Sequence, residues 1–246
     1  MVKIYIELRS TAMKEIKRAL LKLSGGALAG KNGDTFDFDR LDKVAKQIID
    51  IANTGIQLGI VIGGGNIWRG RSSGDMDRTQ ADNMGMLATV INSLALQDAL
   101  ERHGQPTSLV SSIEIPKIAQ SFNKRRVEQL FAQGEIVILA GGSGNPYFST
   151  DTAAVLRALE IDADVILMAK DIDAIYDKDP RKYPDAVRIP TMKYSDIYEK
   201  GLTVVDMTSA VLCMEHDLDT FVFGLSDDNN IAKALNGEDI GTYITK

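Results

Sequence analysis

Three side chains in this sequence have types and settings suited to handling an anion. Lys22 stands near the carboxyl end of the apolar run Arg18 to Leu23 (RALLKL), directly before Ser24, Gly25 and Gly26. A lysine there needs an anionic partner, because an unpaired buried ammonium is costly, or else it reaches solvent along its own stem. Arg69 follows Gly63, Gly64 and Gly65 at the end of a second apolar run, Ile56 to Ile62 (IQLGIVI). Three consecutive glycines are expensive to order, which favours a phosphate cradled by backbone amides with Arg69 beside it over a bare turn. Asp151 belongs to the stretch Ile136 to Ala154 (IVILAGGSGNPYFSTDTAA). There a strand-like run breaks into Gly141, Gly142, Ser143 and Gly144, Asn145 and Pro146 continue the turn, and Ser149 or Thr150 caps a helix. Strand, glycine turn and helix N-terminus in that order make an anion-binding corner, although an ordinary strand-to-helix connection has the same composition. A carboxylate in the first helical turn is favoured by the dipole yet would repel a phosphate unless cations or a metal stand nearby.

Several familiar signatures fail on inspection. Gly25 to Asn32 nearly matches a P-loop, but Asn32 occupies the position that needs Ser or Thr, and no helix follows. After Gly63 the third glycine of a dinucleotide fingerprint is Trp68. The acids Asp171, Asp173, Asp177 and Asp179 suggest a calcium loop, yet Ile175 and Tyr176 stand at its fifth and sixth positions, and the sixth requires glycine. Asp82, in the first turns of a long helix, reads by itself as a dipole partner. The triplet Lys124, Arg125 and Arg126 reads as a solvated face, and His103 and His216 as isolated helix residues without chemistry.

The elements that must carry these residues follow from periodicity. Buried strands are expected at Arg18 to Leu23, Ile56 to Ile62, Thr107 to Ser112, Ile136 to Ala140, Val165 to Ala169, Thr220 to Phe223 and Gly241 to Thr245. Helices are expected from Phe38 to about Ala52, from Thr79 to Gly104 with a broad buried face at Met84, Leu87, Val90, Ile91, Leu94 and Leu100, and from Lys124 to Gln133. Further helices are expected after Ser149 or Thr150 and over Lys193 to Lys200, Asp206 to Glu215 and Asn229 to Leu235. Alternating strands and helices in 246 residues at 44% hydrophobic content imply one α/β domain from residue 18 to 246, with residues 1 to 17 an extension or an added edge strand. Glycine corners at the carboxyl ends of parallel strands would share one sheet edge, where open α/β folds bind ligands. A net charge of −6 argues against nucleic acid as partner, a lone cysteine (Cys213) fits a reducing cytoplasm, and no run reaches the ~18 apolar residues of a membrane span.

Together, KLSG at Lys22 to Gly25, VIGGGNIWRG at Val61 to Gly70, RTQADNMGMLATVINSLALQDAL at Arg78 to Leu100 and SGNPYFSTDTAAVLRALEI at Ser143 to Ile161 resemble the bacterial uridylate kinases. The likeness runs on through DAIYDKDP at Asp173 to Pro180, through Val205 to Met207 and into EDIGTYIT at Glu238 to Thr245. The resemblance implies the amino-acid-kinase fold, a three-layer αβα sandwich with a mostly parallel central sheet, assembled as a homohexamer. It implies transfer of a phosphoryl group from ATP, with magnesium, to UMP in pyrimidine nucleotide biosynthesis. On the positions that match, Lys22, Ser24, Gly25, Gly65 and Arg69 are expected around the ATP phosphates, and Lys170, Tyr176 and Asp179 around the adenosine. Gly64, Asp82 and the loop Ser143, Gly144, Asn145, Pro146, Tyr147, Phe148, Ser149 and Thr150 are expected around UMP. Lys22, Arg69 and Asp151 would carry the catalysis, with Asp151 holding Lys22 and no dedicated protein metal site, since magnesium would ride on nucleotide phosphates. Phosphoryl transfer needs positioning and charge neutralisation more than covalent help, which reconciles an acid with a phosphate site.

The sequence also departs from the family. Gly26 stands where SGEAL is usual, Ala174 replaces a common glycine, and the segment Lys170 to Asp173 is one residue shorter than in many relatives. GTP and UTP are the effectors the resemblance raises. Thr35, Gln97 and Glu101 stand where some relatives offer glycine or cations, so weak GTP control is the expectation. Two other readings keep the fold: a kinase making an acyl phosphate from an amino acid or carbamate, and a nonenzymatic nucleotide sensor. Asp82 opposes the first, and the intact Lys22, Arg69 and Asp151 oppose the second.

Overall fold

The computed structural model describes residues 5–8, 12–30, 33–69, 74–199, 202, 204–225 and 230–246. Among these residues a nine-stranded sheet forms the middle layer. Its strands are β3 (Arg18–Leu23), β4 (Gln57–Ile62), β5 (Thr107–Ser111), β6 (Gln120–Ser121), β7 (Ile136–Ala140), β8 (Val165–Lys170), β9 (Thr191–Lys193), β10 (Thr220–Gly224) and β11 (Gly241–Thr245). Their order is β6-β5-β7-β4-β3-β8-β10-β11-β9, parallel throughout except for the antiparallel pair of β10 and β11. The preceding residues contribute β1 (Tyr5–Leu8) and β2 (Ala12–Glu15), which pair with each other antiparallel and form a separate two-stranded sheet, not an added edge of the large one.

Strict alternation splits the sheet's side chains between two cores. On β7, Ile136, Ile138 and Ala140 join one cluster while Val137 and Leu139 join the other. The first core lies under α1 (Phe38–Ala52), α2 (Arg78–Arg102) and α7 (Asn230–Leu235). The second lies under α3 (Lys124–Ala132), α4 (Thr150–Glu160), α5 (Tyr194–Glu199) and α6 (Met207–Glu215), the last carrying the buried Cys213. Leu20 and Leu21, fully buried on opposite faces of β3, tie the layers together, and cutting either to alanine costs about 2–5 kcal/mol. Helix starts are set by side-chain caps: Asp37 for α1, Asp77 for α2, Asn123 for α3, Ser149 for α4 and Asp206 for α6.

Two expectations need correction, and one strand was not anticipated. The helix expected from Lys193 begins one residue later, because Thr191–Lys193 pairs with β11 as an edge strand. Val90 and Leu100 on α2 are buried, but Met84, Leu87, Ile91 and Leu94 are 39%, 49%, 47% and 38% exposed. Apolar residues line both sides of this helix, so their spacing alone cannot tell the core side from the outer one. The strand β6 went unread because two residues carry no period. Lys31 and Asn32 of the P-loop test, Gly70, Lys200 and Asn229 lie outside the described residues.

Candidate functional site: a lysine-paired carboxylate at the sheet edge

The four adjacent strands β7, β4, β3 and β8 run parallel, so the glycine corners after β3, β4 and β7 and the end of β8 open at one edge of the sheet. Alternation on β3 puts Lys22 on the same side as Leu20, facing the α4 layer; alternation on β8 puts Lys170 on the same side as Ile166 and Met168. The first turn of α4 lies over these two strand ends and carries Asp151. The Lys22 ammonium meets Asp151 Oδ1 at 2.8 Å, and the Lys170 ammonium meets Oδ2 at 2.7 Å while also donating to the carbonyl of Val204. Burial alone would push the Asp151 carboxyl up, but Lys22 and Lys170 overcome it and hold it at about 2. Burial pulls Lys170 below the usual lysine range, against the attraction of Asp151. One carboxylate thus holds two cations at a fixed separation beside the glycine corners, as neutralisation of a phosphoryl group requires.

The corners are keyed to one another. A side chain at Gly25 would run into Asn66 Oδ1, the Gly63 carbonyl and the Gly65 nitrogen at 2.4, 2.7 and 2.9 Å. Asn92, fully buried on α2, donates to the Gly63 carbonyl and to Asn66 Oδ1, both at 2.7 Å. Thr89, one turn earlier, accepts from the N–H of Gly141, whose φ of 79° belongs to the left-handed region. The central helix therefore holds two glycine corners through buried polar groups.

Across the cleft, Asp82 Oδ2 accepts from Arg78 Nε at 2.7 Å and from the backbone N–H of Tyr147 at 2.8 Å. Asp206 caps α6 and also accepts from Ser149, the cap of α4, and from Thr152, so two helix N-termini share one carboxylate.

A cavity of about 540 Å³ collects most of these groups. Of the expected residues it is lined by Lys22, Gly64, Gly65, Arg69, Asp82, Ser143, Asn145, Tyr147, Phe148, Ser149, Thr150, Asp151 and Lys170. Ser24, Gly25, Gly144 and Pro146 are not among its lining residues; Ser24 donates to Asp171 and Gly25 packs on the second corner. Tyr176 and Asp179 do not line it either: the Tyr176 hydroxyl donates to Asp173, and Asp179 accepts from the N–H of Arg181 in an exposed turn. Lys170, expected near adenosine, stands beside Lys22 on Asp151. Arg78, Thr89 and Asp206 line the cavity without having been singled out, because in the sequence each looks like an ordinary helix or cap residue. Among the described residues, no group of three or more His, Cys, Asp or Glu side chains could hold a metal ion.

A parallel αβα sheet whose glycine corners surround paired lysines defines a phosphotransferase of the kinase type. The chain belongs to the amino acid kinase family, whose model matches residues 17–224. Two solved structures are similar over nearly its whole length. One is the UMP kinase from Bacillus anthracis, with 36% identity and a TM-score of 0.90, covering 94% of this chain and 96% of that one. The other is the UMP kinase from Ureaplasma parvum, with 34% identity and a TM-score of 0.90, covering 95% of this chain and all of that one, 100%.

Proposed function

We propose that this chain is a UMP kinase, moving the γ-phosphoryl group of ATP to UMP to give ADP and UDP. The observation that carries the reading is Asp151 held between Lys22 and Lys170 at the glycine corners of a cleft, in a chain similar to two UMP kinases. Lys22 and Lys170 neutralise the phosphoryl group in flight, Arg69 and the amides of Gly64 and Gly65 hold phosphates, and Asp151 keeps both ammoniums in register. The phosphate of UMP is already a nucleophile at neutral pH, so no general base is required. Asp82 accepts from ribose hydroxyls, and the loop from Ser143 to Thr150 surrounds the base and phosphate of UMP. Ser24, Gly25, Tyr176 and Asp179 are assigned to the ATP side. Magnesium enters on the donor's phosphates, whose hard oxygens suit it. The same reading assigns the chain to pyrimidine nucleotide synthesis in the cytoplasm, as a homohexamer with GTP and UTP as candidate effectors.

Uracil presents a carbonyl acceptor and an N–H donor where cytosine presents an amine and a bare nitrogen, and fixed polar groups matched to one are left unpaired by the other. Such mismatch discriminates by up to ~10⁴. Coupled ADP release with ATP and magnesium against UMP, CMP, AMP, glutamate, aspartate and carbamate tests the reading. Turnover is expected with UMP well above CMP and absent with the carboxylates. Turnover of an amino acid or carbamate without UMP would overturn it.

A further inference from the structure

Arg78 is the first residue of α2, directly after the Asp77 cap. A cation there faces the positive end of the helix dipole, and with the acid four residues later the pair has the less favourable orientation for helix stability. Helix stability therefore does not account for it. Its Nε donates to Asp82 Oδ2 at 2.7 Å, and its guanidinium carbon lies 5.5 Å from the centre of the Tyr147 ring. The Tyr147 N–H donates to the same Oδ2 at 2.8 Å, while no described residue donates to Oδ1. Tyr147 has a φ of 73°, a conformation costly for a bulky residue, and its bond to Asp82 offsets that cost. Arg78, Asp82 and Tyr147 all line the cavity, and Tyr147 is 67% exposed at its mouth.

We infer that Arg78 is a positioning residue for the acceptor: with Tyr147 it forms a clasp that fixes Asp82 through one oxygen, leaves the other for ribose hydroxyls, and joins α2 to the loop between β7 and α4. This deepens the UMP kinase reading and rests on it. Steady-state kinetics of the wild type, Arg78→Ala, Tyr147→Ala and the double variant test it, with ATP and UMP varied separately. Each single change is expected to raise KM for UMP by about tenfold, with KM for ATP within about twofold. The double variant is expected to be no worse than the poorer single one, because both remove the same contact between the Arg78 guanidinium and the Tyr147 ring, while alanine at 147 keeps the N–H that donates to Asp82. Unchanged KM for UMP, an equal rise in KM for ATP, or a double effect equal to the product of the singles overturns the clasp. Circular dichroism verifies the fold; should Arg78→Ala not fold, Tyr147→Ala, which leaves α2 untouched, carries the same kinetic test. A wild-type chain without UMP turnover overturns the parent reading and the clasp together, whereas wild-type turnover with indifferent variants overturns the clasp alone.

Discussion

Asp151 is a carboxylate that burial opposes and two ammoniums demand. Its folded value of about 2 lies below the ordinary carboxylate value, so its contribution is fully present above about pH 4 and is lost as pH falls through 2. Over that window it should cost the fold about 2 kcal/mol. Urea midpoints measured from pH 5 to pH 2 should show a falling limb that Asp151→Asn flattens; an unaltered limb in the variant would remove Asp151 from the account. Lys22→Ala is expected to lower kcat by about a hundredfold or more, the scale of losing one preorganised donor to a charged transition state. Near-normal turnover by the folded variant would contradict its role. The partnership of Lys22 with Asp151 was expected from the resemblance, whereas the residues alone left Lys22 open between an anionic partner and solvent. The place of Lys170 was not legible from the strand pattern, which ends in apolar residues at Ala169; only the extra residue of β8 turns its side chain toward α4. Asp206 gave no signal either, since a shared cap and a private one have the same sequence.

Secondary elements were read more completely than the contacts between them. Long strands and helices announce themselves by period, so β3, β7 and β11 fall where expected, while β6 and β9, at two and three residues, are too short to carry one. The polar residues of α2 were passed over for a related reason: Thr89 and Asn92 interrupt an apolar face and look like imperfections, yet they hold the two glycine corners. The corners pack without slack. Gly25→Ala would force its methyl group against backbone atoms of the neighbouring corner, which should cost about 1–3 kcal/mol and displace the phosphate cradle. A thermal midpoint and a KM for ATP both equal to wild type would show that the two corners are not keyed in this way.

Among the described residues, α2 leaves an apolar stripe of four residues uncovered, Met84, Leu87, Ile91 and Leu94. Four partly exposed residues at helical spacing are expected to be covered by a second copy, since symmetric contacts bury the same patch twice. Light scattering should therefore give a mass above that of one chain at micromolar concentration, and Leu87→Glu with Ile91→Glu should lower it; a monomeric wild type would refute the contact. The rims of the great sheet point the same way. A sheet grows by strand addition only where a long open rim offers a row of unpaired amides and carbonyls. Here the rims are Gln120–Ser121 and Thr191–Lys193, stubs of two and three residues. The inner strands β3, β4, β7 and β8, rich in valine, isoleucine and leucine, are thereby kept from zipping onto a neighbour, and fibrous growth of this sheet would first require it to lose its end strands.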